Sequence, residues 1–501
     1  MEQKRKAGVL LHISALPGKY GIGTLGESTY DFIDWLKSAG MQIWQILPLL
    51  PTSYGDSPYQ AIANNALNFY FIDFDLLCKE GLLISTEYED IDWGSDERRV
   101  DYEKLFFNKA EVLKKAFARF NKDITDWKEF LAAGRYLDFA VFMTIKAKQR
   151  YQAFTEWEEK YKVYSDELFQ SVIEENSWEV EFWQFTQYLF LKQWKAVKAY
   201  ANENGITIMG DMPIYVAADS VEMWKYKYEL FLLDKDGNPA LVAGVPPDAF
   251  SDDGQLWGNP VYNWDYMKTN GYKWWKDRIN YAFELFDTVR IDHFRGFDKF
   301  FAINAGEETA RNGAWMAGPS AELFKGFEDY DIVAEDLGVI DDGVIQMMEK
   351  VGYPGMKVVE FAFDGNSQNE HKPTNFVENC VAYTGTHDNQ PLLGYIEGLN
   401  EDWTERFDDD LKAECKALGI RPCCTTLISK CKTVMRLIMA SKANVCILPM
   451  QDILVLGDYS RMNFPSTVST DNWSYRFTTK DFDKKTADWL NTLTKKYGRQ
   501  Q

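Results

Sequence analysis

Arg290 and Asp292 stand two apart in the segment Asp287-Thr-Val-Arg-Ile-Asp-His-Phe-Arg-Gly-Phe297. In a strand both would point to one face. A guanidinium beside a carboxylate holds it ionised well below neutral pH. An ionised carboxylate at the end of a barrel strand can attack an electrophilic carbon. An isolated Arg-x-Asp is more often a structural ion pair, so its companions decide the matter. Two other acids take comparable places: Glu335 follows the apolar run Asp331–Ala334, and Asp388 follows Cys380–Thr384. Carboxylates at barrel strand ends converge on one mouth. One can attack, a second can donate and accept a proton, and a third can hold the substrate, which suits retaining chemistry at a sugar acetal carbon. Neighbouring carboxylates would raise the pKa of the acid/base to its working range.

The elements that must position these acids are short, continuous apolar runs. They are Ala7–Leu11 before His12, Gln42–Leu47 before Pro48, Ile206–Met209 before Asp211, and Thr288–Ile291 before Asp292. Asp331–Ala334, Met356–Phe361 (which contains Glu360), Cys380–Thr384 and Val445–Leu448 complete the set. Runs that are apolar throughout read as strands buried on both faces. Helical patterns such as Glu27–Ala39 and Trp274–Phe286 lie between them. Eight strands alternating with helices predict an α/β chain folded as a (β/α)8 TIM barrel. An open doubly wound sheet is the alternative, but no G-x-G-x-x-G follows any of these strands. The spacing predicts a discontinuous barrel over 1–75 and 201–501 and a mainly helical insertion over 76–200. A second insertion, over 220–275, has a Gly- and Pro-rich lid-like loop at 242–254.

Composition narrows the partners. Net charge is −21 over 501 residues, which argues against nucleic acid and anionic membrane surfaces. No run approaches the ~20 apolar residues of a membrane span, and the N-terminus lacks a signal-peptide pattern. Aromatic residues make up 15% of the chain. Most should fill the core, with some free to stack on flat apolar ligand faces. The seven cysteines are odd in number and lack zinc-site spacing. The expectation is therefore a cytoplasmic chain with reduced thiols, no metal and no cofactor. One rival reading is a metal-dependent barrel hydrolase using His12, Asp292 and His387; another is a catalytically inert glucan-binding module.

Arg290-Ile-Asp-His-Phe-Arg-Gly296, Ala334-Glu-Asp-Leu-Gly338 and Tyr383-Thr-Gly-Thr-His-Asp-Asn389 resemble the amylomaltases, or disproportionating enzymes, of glycoside hydrolase family 77. Ser57-Pro-Tyr59, Gly210-Asp-Met-Pro-Ile214, Trp257-Gly-Asn-Pro260 and Arg461-Met-Asn-Phe-Pro465 match as well, so the resemblance spans nearly the whole chain. It implies a 4-α-glucanotransferase that moves α-1,4-glucan segments between malto-oligosaccharides or starch- and glycogen-derived chains, or to glucose. It implies Asp292 as nucleophile, Glu335 as general acid/base and Asp388 as a grip on the sugar hydroxyls. It further implies Arg290 as support for Asp292, His387 as a hydrogen-bond partner of the same sugar, Asp211 and Tyr59 as shapers of the subsite (Tyr59 by stacking on the ring), and Trp257 and Asn463 as lining of the glucan groove. His293 and Arg295 keep a structural reading. In the lid loop, Asp248, Ala249, Phe250 and Asp252 are the relevant positions. Ala249 and Asp252 depart from the Tyr and Glu common in the family, which bears on acceptor contacts and product size. Gln390-Pro391 also departs from the pattern after the third acid. Partners are expected to be malto-oligosaccharides and other α-1,4-glucans, with a monomer or homodimer as the assembly. An α-amylase-like hydrolase is the alternative, because transfer and hydrolysis share one covalent intermediate and differ in what reaches it first.

Overall fold

In the computed structural model, which is described for residues 5–53, 55–247, 252–338 and 340–500, the chain contains twelve strands. They are β1 (Lys6–Leu10), β2 (Ile43–Gln45), β3 (Thr207–Met212), β4 (Leu241–Val245), β5 (Gln255–Pro260) and β6 (Thr288–Ile291). Then follow β7 (Lys299–Asn304), β8 (Ala314–Ala317), β9 (Ile332–Ala334), β10 (Gly355–Val358), β11 (Cys380–Tyr383) and β12 (Val445–Pro449).

Eight of these, in the order β10-β11-β12-β1-β2-β3-β6-β9, pair in parallel. The ends of this sheet meet: the Ala334 N–H donates to the Pro354 carbonyl at 2.9 Å, and the Met356 N–H to Asp336 Oδ1 at 2.6 Å. The sheet is thereby a (β/α)8 barrel, and its strands coincide with the eight apolar runs. Their β-branched residues are buried on both faces, as at Val9, Ile43, Ile208, Val289 and Ile447. One run is shorter than expected. β10 stops at Val358, and Glu360 lies in a 3-10 turn, Val359–Ala362.

The remaining strands form an antiparallel sheet, β5-β4-β7-β8, that the apolar pattern did not announce. It takes in the first residues of the expected loop at 242–254, because Val242 pairs opposite Ile303 and packs on a small cluster of Phe301, Ile303 and Ala310. Gly244 permits the hairpin: a Cβ there would stand 2.3 Å from the Gln255 carbonyl oxygen. This sheet continues from the end of β6 and brings β5 to the barrel mouth.

Between β2 and β3 the chain is helical, and its longest helix, Ser177–Glu203, fixes the loop that follows β2. Gln187 brackets the backbone of Leu67 from both sides (2.7 and 3.0 Å), and Gln193 does the same to Asp73 (2.8 and 3.2 Å). These buried amides give the loop the pairing that a neighbouring strand would give. Most of the aromatic content is core, with Trp44, Trp127, Trp157, Trp194, Trp224 and Trp275 fully buried. Among the described residues no helix is long and apolar enough to cross a membrane.

Gly8 is a tight point of the barrel ladder. A Cβ there would lie 2.5 Å from the Ile43 carbonyl oxygen and 2.8 Å from Ile447 Cδ1. Gly8→Ala is expected to lower the free energy of unfolding by about 1–3 kcal/mol through overpacking. Denaturant titration measures this, and an unchanged midpoint and slope would contradict it.

Candidate active site

Arg290 leaves the middle of β6 and is 3% exposed. Its Nε donates to Asp211 Oδ1 on β3 at 2.9 Å, and its Nη2 to Asp292 Oδ1 at 2.8 Å. The β3–β6 register sets Asp211 opposite Arg290, so one guanidinium serves both acids. The Tyr59 hydroxyl donates to Asp211 Oδ2 at 2.6 Å and completes the cluster. Its ring lies parallel to the His387 imidazole, 5.1 Å between centroids and 11° between planes. One face of Tyr59 is thus taken by His387 rather than left free for a sugar.

Glu335 follows β9. Both of its oxygens are fixed by backbone donors: the His293 N–H reaches Oε2 at 2.7 Å and the Leu337 N–H reaches Oε1 at 2.8 Å. His293 can donate there because its backbone is left-handed, with φ of 46°. A non-glycine residue held in that region stores strain of about 1–3 kcal/mol, and such positions cluster at functional sites. Asp388, after β11, is aimed by the segment Arg461–Asn463. Asn463 Nδ2 donates to Asp388 Oδ1 at 2.7 Å, and Arg461 Nη2 to the Asp388 carbonyl at 2.6 Å.

An open groove of about 530 Å³ is lined by Tyr59, Trp257, Asp292, His387, Asp388 and Asn463, among others, and the Glu335 carboxyl adds its charge to that of Asp292. Asp211 and Arg290 stand behind that wall, reached through Tyr59 and Asp292. All nine candidate residues outside the lid therefore gather at the C-terminal mouth of the barrel. Asp248, Ala249 and Phe250 lie outside the described residues. Asp252 is exposed, and its carbonyl accepts from Arg311 Nε at 3.2 Å.

The electrostatics correct one expectation. Burial, with the carboxylates of Glu335, Asp211 and Asp388, pushes the Asp292 carboxyl up from the ordinary aspartate range, while Arg290 pulls against the rise. Arg290 thus limits a shift that it was expected to dominate. Burial also pushes Glu335 up to about 7, opposed by Arg290 and by the two backbone donors. Burial lowers His387 as well, so its imidazole stays neutral. His12 is spoken for: its Nδ1 accepts the Leu47 N–H at 3.2 Å, and burial takes it down to about 3. Among the described residues no three His, Cys, Asp or Glu side chains are placed to hold a metal ion.

The glycoside hydrolase 77 family model, described as 4-alpha-glucanotransferase, matches residues 11–481. The chain belongs to this family. A 4-alpha-glucanotransferase of Clostridium butyricum is 42% identical over 499 residues, covering 98% of this chain and 100% of the relative. One of Thermus thermophilus is 39% identical, covering 95% of each. Among solved structures, an amylomaltase from Streptococcus agalactiae in complex with acarbose matches with a TM-score of 0.93 at 40% identity, covering 99% of this chain and 100% of that one. The chain is thus an enzyme of the 4-alpha-glucanotransferase class that acts on α-glucans, and the hydrolase alternative is not favoured.

In this glucanotransferase some residues at the groove had not been singled out. Arg461, which holds the Asp388 carbonyl, lies inside the Arg461–Pro465 block that carries the family resemblance, and that is the signal that could have found it; Trp473 lines the groove. Gln60 and Asn259 exchange paired amide hydrogen bonds at 3.1 and 3.2 Å across the groove wall; Asn259 lies in the Trp257–Pro260 block, whereas Gln60 lies just past Ser57–Tyr59. His293 and Arg295 hold packing positions: His293 sets its edge on Trp257 at 4.8 Å, and Arg295 lies 3.9 Å over the Trp315 ring.

Arg290→Met should remove the cation from two acids at once, one of which, Asp211, has a fully buried side chain. A loss of about 3–5 kcal/mol in unfolding free energy is expected from the uncompensated buried charge. Equilibrium denaturation measures it, and a loss below about 1 kcal/mol would show that Arg290 is not what compensates Asp211.

Proposed function

We propose that the chain disproportionates malto-oligosaccharides by a retaining double displacement at Asp292, Glu335 and Asp388. One observation carries this reading. Adjacent strands β6 and β9 place a guanidinium-supported carboxylate beside a second carboxyl that is fixed by backbone donors and pushed up to about 7. One group is equipped to bear charge and the other to keep a proton near neutrality.

Arg290 holds Asp292 Oδ1, which leaves Oδ2 for attack. Oδ2 forms a bond to the anomeric carbon while Glu335 gives its proton to the glycosidic oxygen. The bond from that carbon to the oxygen breaks, and the reducing-end fragment leaves. An acceptor hydroxyl then gives its proton to the Glu335 carboxylate and attacks the anomeric carbon, and the Asp292 carboxylate is released. Two inversions retain the α configuration. Asp388, set by Asn463, and neutral His387 face the groove as hydrogen-bond partners for the sugar bound at the reacting centre. Trp257 lines the same groove, its indole N–H held by Gln255 Oε1 at 3.1 Å, and offers an apolar edge to the glucan.

Incubation with maltotriose is expected to give glucose and a ladder of longer glucans. Glucose and maltose alone would overturn the transfer reading in favour of hydrolysis. Asp292→Asn should abolish transfer and hydrolysis together, by at least about 10³-fold, with an unchanged fold by circular dichroism. Substantial residual transfer would mean that the nucleophile lies elsewhere. The free enzyme needs Glu335 protonated for its first step, so kcat/KM should fall as pH rises through about 7. A profile flat across neutrality would remove Glu335 as the acid.

A further inference from the structure

β3 ends at Met212, and the residues that follow, Pro213, Ile214 and Tyr215, line the groove. Side chains hold the carbonyls of this segment. Arg278, from the helix Lys273–Leu285, donates through Nη2 to the Pro213 carbonyl at 2.5 Å and through Nη1 to the Ile214 carbonyl at 3.2 Å. It is 8% exposed, and its guanidinium lies 4.7 Å over the Trp275 ring and 5.5 Å over that of Trp274. Those rings stabilise the buried cation. Arg278 Nη2 also donates to Asn64 Oδ1 at 2.7 Å. Asn64 belongs to the loop after β2 that carries Tyr59, and Glu222 Oε1 fixes its N–H at 2.9 Å. A second tie joins the same two segments: Asn259 pairs with Gln60, and its Nδ2 donates to the Val216 carbonyl at 2.7 Å. Tyr59 and Asp211 therefore stand on segments that are joined twice, and their 2.6 Å hydrogen bond is the contact that these ties keep in register. Asp211 is joined to Asp292 in turn through Arg290.

We infer that Arg278 is a positioning residue for the reacting-sugar subsite: by tying Asn64 to the Pro213 and Ile214 carbonyls it keeps the Tyr59 hydroxyl on Asp211. The inference rests on Tyr59 and Asp211 shaping that subsite. Arg278 lies behind the groove wall, so its effect passes through the contact between Tyr59 and Asp211. A displacement of about 1 Å at that contact is enough to cost up to about 10²-fold in rate. Removing the contact should then remove the effect of the tie.

The test is kcat and KM for maltotriose disproportionation in Asn64→Ala, Tyr59→Phe and the double variant, each scaled to its folded fraction by circular dichroism. Asn64→Ala cuts the tie and leaves Arg278 on both carbonyls. It should lower kcat about tenfold and keep KM within about twofold of the wild type, because misalignment is felt in the transition state. In the Tyr59→Phe background the hydroxyl–carboxylate contact is already gone, and the same substitution should cost less than about twofold. A role in folding alone would cost the same factor in both backgrounds, and equal factors overturn the proposal. Wild-type kcat in Asn64→Ala overturns it too. Arg278→Lys keeps the charge but loses the planar fork that reaches three acceptors, and it should repeat the pattern. It takes over where Asn64→Ala does not fold, and failure of both to fold would make the tie a folding device and overturn the proposal. Full activity in Tyr59→Phe removes the role of the Tyr59 hydroxyl and this proposal with it. An impaired Tyr59→Phe beside equal factors removes this proposal alone.

Discussion

The site depends on one buried guanidinium. Arg290 presents its donors in a rigid fork, and the protein uses two of them. Nε reaches sideways to Asp211 on β3, and Nη2 reaches forward to Asp292, two residues along its own strand. Neither contact survives a slip in the β3–β6 register, because a shift of one residue would turn Arg290 to the other face. Gly210 helps to hold that register. A Cβ at this position would meet the Phe286 ring at 2.2 Å, so the absence of a side chain lets Phe286 seal β3 directly beneath Asp211. Barrel packing and site charge are therefore one constraint, and the apolar core beneath the acids is what makes the guanidinium necessary.

The acids lie in two layers. Asp292 and Asp388 line the groove, with Glu335 close to Asp292, while Asp211, Glu360 and Asp452 are each tied to a turn or strand end that carries one of these three. Burial raises Glu335 to about 7, Glu360 to about 8 and Asp452 to about 6. Cations are scarce at this depth, with Arg290 serving one side of the mouth and Arg461 the other. A mouth rich in carboxyls and poor in cations keeps protons near neutrality, which is what acid-assisted cleavage of a glycosidic bond requires.

The barrel and its acids were legible because each strand is a continuous apolar run, and those that carry the site acids end in a charge. That pattern depends only on neighbours along the chain. The antiparallel sheet was not legible. Val242-Ala-Gly-Val245 is short, small and interrupted by glycine, and it becomes a strand only because Lys299–Asn304 lies alongside. The clamp on Asp388 was hidden for a similar reason: Arg461 is 73 residues away, and its contact is to a backbone carbonyl, which no residue type advertises. The direction of the shift at Asp292 was not legible, because spacing reveals that Arg290 is near but not how deeply both are buried. Depth is a property of the packed barrel, and it outweighs the ion pair in setting the direction of the shift.

His293 joins the two halves of the groove. Its left-handed backbone, with φ of 46°, aims the N–H at Glu335, and the same turn sets its ring edge-on to Trp257 at 4.8 Å. The ring stays neutral because burial takes it down to about 3, so it adds no charge beside the acid/base. A sugar seated against Trp257 thus presses on a residue whose backbone fixes Glu335. In the proposed mechanism, a saccharide covering this wall would exclude water near Glu335 while bringing a sugar hydroxyl. Such coverage would favour capture of the proposed glycosyl intermediate by sugar over capture by water.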